Sequence, residues 1–234
     1  GYPVSLTEGS NTTPDALILQ RDLAYYAVQG AQAAVMEVSS IGIEQGRING
    51  THFNIALFTN LTRDHLDYHG TIEAYGNAKA KLFDWTGLEY AIINIDDEFG
   101  IKLFNERRGA QTIGYGFNAI ESYDKKYLWG RDLVLSEDGI TFTINSFWGE
   151  IKVKSSLLGA FNASNILAVI SVLVVSGVSL VDAGNAVSLL KPVAGRMQCF
   201  GGGEKPLVVV DYAHTPDALQ KTLSALRDFL PQKG

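Results

Sequence analysis

Short apolar runs recur along the first half of the chain, each closed by polar residues: Ala33 to Val38, Ile55 to Phe58, and Tyr90 to Ile95, which Asp96 and Asp97 stop. Val/Ile/Ala runs of this length, separated by helical stretches, are the pattern of strands buried on both faces of a parallel sheet. Thr13 followed by Pro14 predicts a helix N-cap with proline at the first helical position. Leu17, Leu23, Tyr26 and Ala27 suit that helix, and Gly30 closes it. Thr71 to Asp84 predicts another helix, with Ile72, Tyr75, Leu82 and Phe83 on one face at the 3.6-residue period.

The texture changes from Asp132 to Ser156. Leu133 to Leu135, then Asp138-Gly139, then alternating Ile140, Phe142 and Ile144 predict a hairpin. Trp148-Gly149 turns the chain again into Ile151 and Val153, so a small antiparallel meander joins the main sheet. Asn162 to Ser176 follows as a helix closed by Gly177, and Ile166 to Val175 within it is the most hydrophobic run. That run is too short to span a bilayer. Pro192, Gly195 and the Gly201 to Gly203 cluster then interrupt the pattern, with Gly201-Gly202-Gly203-Glu204-Lys205 expected as a surface turn. Leu207 to Val210 is a fresh strand, and Thr215-Pro216 opens a helix running to about Leu230. The expected fold is α/β, a mostly parallel doubly wound sheet with the meander attached. A domain boundary is expected near Val193, giving residues 1–193 and 194–234, the latter holding the first β–α unit of a second domain.

Composition narrows the function classes. The chain has 234 residues, 46% hydrophobic and 19% charged, which is ordinary for a globular protein with a real core. A formal charge of -6 argues against a phosphate-backbone binder. With Cys199 as the single cysteine no internal disulfide can form, and a reducing cytoplasm is the expected compartment. Gly1 to Asn11 is polar and turn-rich with no initiator Met, so the chain reads as a fragment whose upstream part is not shown.

In an open α/β sheet, ligands bind beyond the carboxyl ends of the strands. Glu37-Val38-Ser39-Ser40, the stretch Thr59 to Asp67, and Asp211-Tyr212-Ala213-His214 each follow an expected strand. Glu37 and His65 are able to hold a divalent cation together; a carboxylate suits Mg²⁺, while imidazole is more typical of softer metals. A capping glutamate and a backbone-bonded histidine are the alternatives. Lys79 falls in the middle of the apolar face of the Thr71 to Asp84 helix, whereas Lys81 falls opposite and should be solvated. An inward lysine needs a partner, a lowered pKa or chemical modification, unless it snorkels to the edge of the face. No G-x-x-x-x-G-K-[ST] or G-x-G-x-x-G stretch occurs in the sequence.

Five strings in order carry a resemblance: Met36-Glu37-Val38-Ser39-Ser40; Thr59-Asn60-Leu61-Thr62-Arg63-Asp64-His65-Leu66-Asp67-Tyr68-His69-Gly70; Gly159-Ala160-Phe161-Asn162-Ala163-Ser164-Asn165; Gly195-Arg196-Met197; and Asp211-Tyr212-Ala213-His214-Thr215-Pro216-Asp217. Together they resemble the Mur ligases. The resemblance implies a three-domain architecture, of which this chain holds most of the central ATPase-like domain and the start of the Rossmann-like C-terminal one. The family's G-T-N-G-K-T phosphate loop is not in this sequence.

The resemblance further implies a peptidoglycan-synthesis ligase that is ATP-dependent and cytoplasmic, monomeric, and without membrane insertion or nucleic-acid binding. ATP would phosphorylate the carboxyl of a UDP-MurNAc-dipeptide, and the amine of a third amino acid, expected to be meso-diaminopimelate with lysine as the alternative, would displace phosphate. Glu37, His65 and Lys79 match metal-site positions, Lys79 being the lysine that becomes a carbamate, with Mg²⁺ as the metal. His65 and Lys79 are the expected catalytic residues. Asn162, Arg196 and Asp211 match ATP-contact positions. Asn11, Thr12, Thr13, Ser39, Gln45 and Arg47 match the segments that hold the muramoyl-dipeptide and its diphosphate. Ile41 stands where many members have histidine. This chain alone is expected to be inactive. A folylpolyglutamate synthase-like ligase and a non-catalytic nucleotide-sugar-binding pseudo-ligase are the competing readings.

Overall fold

The computed structural model describes residues 11–106, 109–118, 126–136, 138–202 and 205–229. The chain divides into two compact units, Gly1–Asn54 with His65–Leu88, and Ile55–Asp64 with Glu89–Gly234.

The first unit is helical. Helix α1 (Ala16–Val28) begins one residue after Asp15, whose carboxylate accepts from the amides of Leu17 and Ile18, both at 3.0 Å. Asp15 rather than Thr13 is therefore the cap, because an ionised oxygen serves both the orphan amides and the positive end of the helix dipole. Pro14 lies outside the helix. The Gln20 amide donates to Thr51 Oγ1 at 3.0 Å, and Leu19 is the buried residue of α1. Leu17 and Tyr26 lie on the exposed side of α1. Ala33–Val38 forms no strand, and Val35 is 95% exposed. An apolar run becomes a strand only where a neighbouring edge bonds its N–H and C=O groups, and among the described residues no ladder reaches this one.

Ser39 caps α2 (Ser40–Glu44) by accepting from the Gly42 amide at 3.0 Å. A side chain at Gly42 would meet Ser39 Oγ at 2.9 Å and Thr13 Cβ at 3.0 Å, so only glycine lets α2 approach Thr13 this closely. Helix α3 (Leu66–His69) leads to α4 (Ile72–Ala80), capped by Thr71, whose hydroxyl accepts from the Ala74 amide. The predicted long helix tightens into a 3-10 turn over Lys81–Asp84. Its apolar positions Tyr75, Leu82 and Phe83 are buried, and Lys81 is exposed and paired with Glu44 at 2.6 Å.

The second unit is built on a six-stranded sheet in the order β1 (Ile55–Phe58), β2 (Tyr90–Asn94), β3 (Gln111–Gly116), β4 (Lys126–Ser136), β5 (Gly139–Ser146), β6 (Gly149–Ser155). The first four strands run parallel, and β4, β5 and β6 form the antiparallel meander. The meander thus continues the main sheet. Helices α5 (Glu98–Glu106) and α6 (Ala160–Val175) cover it. Ile113 and Tyr115 face the core shared with α6, while the intervening Gly114 lies against Phe104 of α5. Alternation along a strand puts those helices on opposite faces, the doubly wound arrangement.

Helix α6 is apolar almost all round and buries Ile166, Leu167, Ile170 and Val174. Each such side chain contributes about 1.5–3 kcal/mol to stability. Helix α7 (Leu180–Ser188) packs on β6. Of the expected surface turn, Gly201 and Gly202 instead close β7 (Gln198–Gly202), which pairs antiparallel with β8 (Lys205–Val210) before α8 (Pro216–Phe229), and Gly203 and Glu204 lie outside the described residues. Paired backbone satisfies the ladder even where glycine lowers strand propensity.

Candidate active site

The residues singled out in the sequence divide between the two units. In the first, Thr13 is fully buried, and its hydroxyl donates to the Glu37 carbonyl at 3.0 Å and accepts from the Ser39 amide at 2.9 Å. It therefore acts through the backbone of Glu37–Ser39. The Glu37 residue itself is exposed, as are Asn11, Thr12 and Gln45. Arg47 donates through Nε and Nη2 to Gln45 Oε1 at 2.9 and 2.6 Å, and through Nη1 to the Thr13 carbonyl at 3.1 Å. These partners are neutral oxygens, so they orient the guanidinium without cancelling the charge that would attract an anion.

Around Tyr75 a second group gathers. His65 precedes α3 with a left-handed backbone, φ 53°, and its ring stands edge-on to the Tyr75 ring at 5.8 Å. Non-glycine residues in that conformation carry strain that concentrates at functional sites. Lys79 is half-buried, and its Nζ lies 4.9 Å from the Tyr75 centroid. His69 stacks on the same ring at 5.2 Å with an interplanar angle of 24°, and it hydrogen-bonds to Ser40 Oγ at 2.9 Å.

A metal needs more oxygen and nitrogen donors than this group displays in its unmodified form. Among the described residues no group of three or more His, Cys, Asp and Glu stands ready to hold an ion. A carboxylate at Glu37 and an imidazole at His65 suit a divalent cation, and Lys79 would complete the set only as a carbamate, which replaces a cation with oxygen ligands. His65 and Lys79 both meet the Tyr75 ring.

In the second unit, side chains from β2, the turn after it and β3 grip the end of β1 and the segment that follows it. The Tyr115 hydroxyl donates to the Phe58 carbonyl at 3.1 Å, Asn94 Nδ2 to the Thr59 carbonyl at 2.7 Å, and Asp97 Oδ2 accepts from the Leu61 amide at 3.0 Å. Burial first, and then the charges of Asp96 and Asp97, hold the Tyr115 phenol well above its ordinary range. It is a donor only.

Asn162, in the first turn of α6, donates to the Leu158 carbonyl at 2.8 Å and accepts from Asn165 at 3.2 Å. Arg196 is exposed, with its guanidinium 5.1 Å from the Tyr212 ring centroid. Asp211 accepts from the Met197 and Ala213 amides, both at 2.9 Å, and from Thr222 Oγ1 at 3.3 Å. Those bonds tie β7 and α8 to the end of β8 and leave the carboxylate little capacity for another donor.

Sequence reasoning passed over Ser40, His69, Asn94 and Tyr115. Asn94 had a signal, since it stands at the carboxyl end of a strand like the other polar clusters. Ser40 and His69 had none beyond their presence in polar strings, because the bond joining them spans 29 residues.

Residues 1–173 match the Mur ligase middle domain, and residues 195–234 match the Mur ligase glutamate ligase domain. The chain is 50% identical over 228 residues to a UDP-N-acetylmuramoyl-L-alanyl-D-glutamate–2,6-diaminopimelate ligase of Janthinobacterium sp. (strain Marseille), covering 95% of this chain and 45% of the relative. A protein of the same name from Chromobacterium violaceum is 47% identical over 236 residues, covering 100% of this chain and 47% of the relative. A solved structure of a ligase so named superposes with a TM-score of 0.82 at 41% identity, over 99% of this chain and 47% of the other. The apo form of L. casei FPGS, at 19% identity and a TM-score of 0.71 over 92% of this chain and 56% of its own, shares the fold alone. The chain spans about half the length of the curated relatives it matches. With both domain matches following one another in the order of the motifs, the chain belongs to the Mur ligase family.

Proposed function

We propose that this chain forms the central part of a longer ATP-dependent ligase of peptidoglycan synthesis. That ligase joins meso-diaminopimelate to UDP-MurNAc-L-Ala-D-Glu. The observation that carries the reading is 50% identity across 95% of the chain to a relative named for that reaction. We place the enzyme in the cytoplasm as a monomer, with residues 1–193 in its central domain and 194–234 opening the C-terminal one. Among the described residues no helix is long and apolar enough to cross a membrane.

In the first step a carboxylate oxygen of the dipeptide attacks the γ-phosphorus of ATP, and ADP leaves. In the second the amine nitrogen attacks the acyl carbon, the bond to phosphate breaks, and the nitrogen gives up a proton. Negative charge gathers on phosphoryl oxygens and then on the tetrahedral oxygen, so fixed cations are the main catalytic device. Glu37, His65 and Lys79 as its carbamate would hold Mg²⁺, which when bound neutralises that charge as a Lewis acid. Lys79 reaches that form when its neutral amine adds to CO₂ and loses a proton. Arg47, kept in place by Gln45 and Thr13, meets the anionic end of the muramoyl substrate, with Asn11, Thr12 and Ser39 beside it. Asn162 and Arg196 contact ATP, and Asp211 orients the loop that carries Arg196.

The test is product identity. The complete ligase, given UDP-MurNAc-L-Ala-D-Glu, ATP, Mg²⁺ and meso-diaminopimelate, yields a product heavier by one diaminopimelate less one water, with one ADP per product. ADP release without that product sinks the reading. The 234-residue chain alone yields none, since it contains no phosphate-loop motif.

A further inference from the structure

We propose that His69 is a positioning residue, fixed by Ser40 and stacked on Tyr75 so that the ring stays where both His65 and Lys79 touch it. The catalytic consequence rests on the ligase reading above; the structural relation does not.

The three residues expected to gather around the reacting phosphate come from three separate segments. Glu37 lies just before α2, His65 just before α3, and Lys79 near the end of α4. Secondary structure alone leaves their mutual distances unset. The side chains that knit these segments together are Ser40, His69 and Tyr75. Ser40 is 2% exposed and opens α2, immediately after the Glu37–Ser39 segment that Thr13 holds. Its hydroxyl meets His69 Nε2 at 2.9 Å, which ties that segment to the end of α3. An imidazole anchored at one nitrogen has its ring plane set, and it lies at 24° to the Tyr75 plane with centroids 5.2 Å apart. Tyr75 in turn carries His65 at its edge and Lys79 Nζ 4.9 Å from its centroid.

One ring is thus the common support of two expected ligands, and its orientation depends on a hydrogen bond that touches neither. Groups one step removed from a metal typically change metal affinity or activity about 10- to 100-fold when lost. Displacements of about 1 Å at a reacting centre have effects of similar size.

Two measurements test this. In the present chain with isotope-labelled lysine, the Lys79 ε-methylene protons should resonate upfield through the Tyr75 ring current. Ser40→Ala and His69→Ala should abolish that shift, and His69→Gln, whose amide nitrogen replaces Nε2, should restore most of it. In the complete ligase, Ser40→Ala and His69→Ala should lower kcat about 10- to 100-fold with KM for ATP and dipeptide nearly unchanged, and His69→Gln should recover much of the loss. Thermal midpoints identify any variant that fails to fold; if His69→Ala does, Ser40→Ala and His69→Gln decide alone. An absent upfield shift in the unmutated chain, or a shift and kcat that survive Ser40→Ala, overturns the proposal. Equal losses in His69→Ala and His69→Gln overturn it too. If the unmutated ligase makes no amide while the resonances follow the prediction, the ligase reading fails and the positioning relation stands.

Discussion

Lys79 Nζ stands 4.9 Å from the centroid of Tyr75, four residues earlier on the same helix. That spacing puts the two side chains on one helix face. A cation over an aromatic ring gains about 0.5–2 kcal/mol, depending on how far it is desolvated. The lysine therefore has a defined resting place on the ring that His65 also meets, at the edge of the buried face rather than within it.

Replacing Lys79 with alanine in the complete ligase should lower turnover by about 100-fold or more, because an oxygen ligand is lost along with the amine. Short carboxylic acids added to the assay should restore part of the rate by taking the carbamate's place. Steady-state kinetics with and without acetate is the check. Turnover near that of the unmutated enzyme, with no response to acetate, contradicts the carbamate role.

Tyr115 makes alkaline stability the second prediction. Its folded pKa is raised above the ordinary value of 10.0, chiefly by burial. Below pH 10 the phenol is neutral in both states and its contribution to stability is complete; above it the unfolded chain ionises first, so stability falls as pH rises. Tyr115→Phe should lose about 1–3 kcal/mol at neutral pH, since the buried hydrogen bond to the Phe58 carbonyl is lost, yet decline less steeply above pH 10. Urea unfolding at both conditions measures this. An unchanged alkaline slope would falsify the assignment to Tyr115.

Gly100, in the first turn of α5, faces the end of β2. A Cβ there would overlap the carbonyl oxygen of Asn94, a backbone atom that cannot swing aside. Gly100→Ala should therefore cost about 3 kcal/mol or more and loosen the Asn94 grip on Thr59. Denaturation midpoints, with hydrogen exchange at the Leu61 amide, report both effects. A midpoint within error of the unmutated chain contradicts the geometry.

Much of the fold was legible because burial leaves a mark on composition. Ile55–Phe58 is a strand as read, and Tyr90–Ile95 is one over Tyr90–Asn94, since helices cover both faces of the sheet and most of these positions select for apolar residues. Ala33–Val38 has the same composition and forms no strand, because pairing depends on an edge that local sequence does not encode. Thr13 looked like a helix cap, but Asp15, a charged acceptor two residues on, took the amides and left Thr13 to bind the Glu37–Ser39 backbone. Periodicity placed Tyr75 on the buried face and Lys81 in solvent, while Lys79 ended at the margin where the helix tightens after Ala80. The Ser40–His69 bond was invisible, because it is a contact between segments rather than a property of either.

The most direct measurement is amino-acid-dependent phosphate release by the complete ligase with UDP-MurNAc-L-Ala-D-Glu and ATP, comparing meso-diaminopimelate with lysine. Release driven by meso-diaminopimelate and close to background with lysine is the predicted result. Release that ignores both amino acids, or that lysine alone drives, contradicts the assignment.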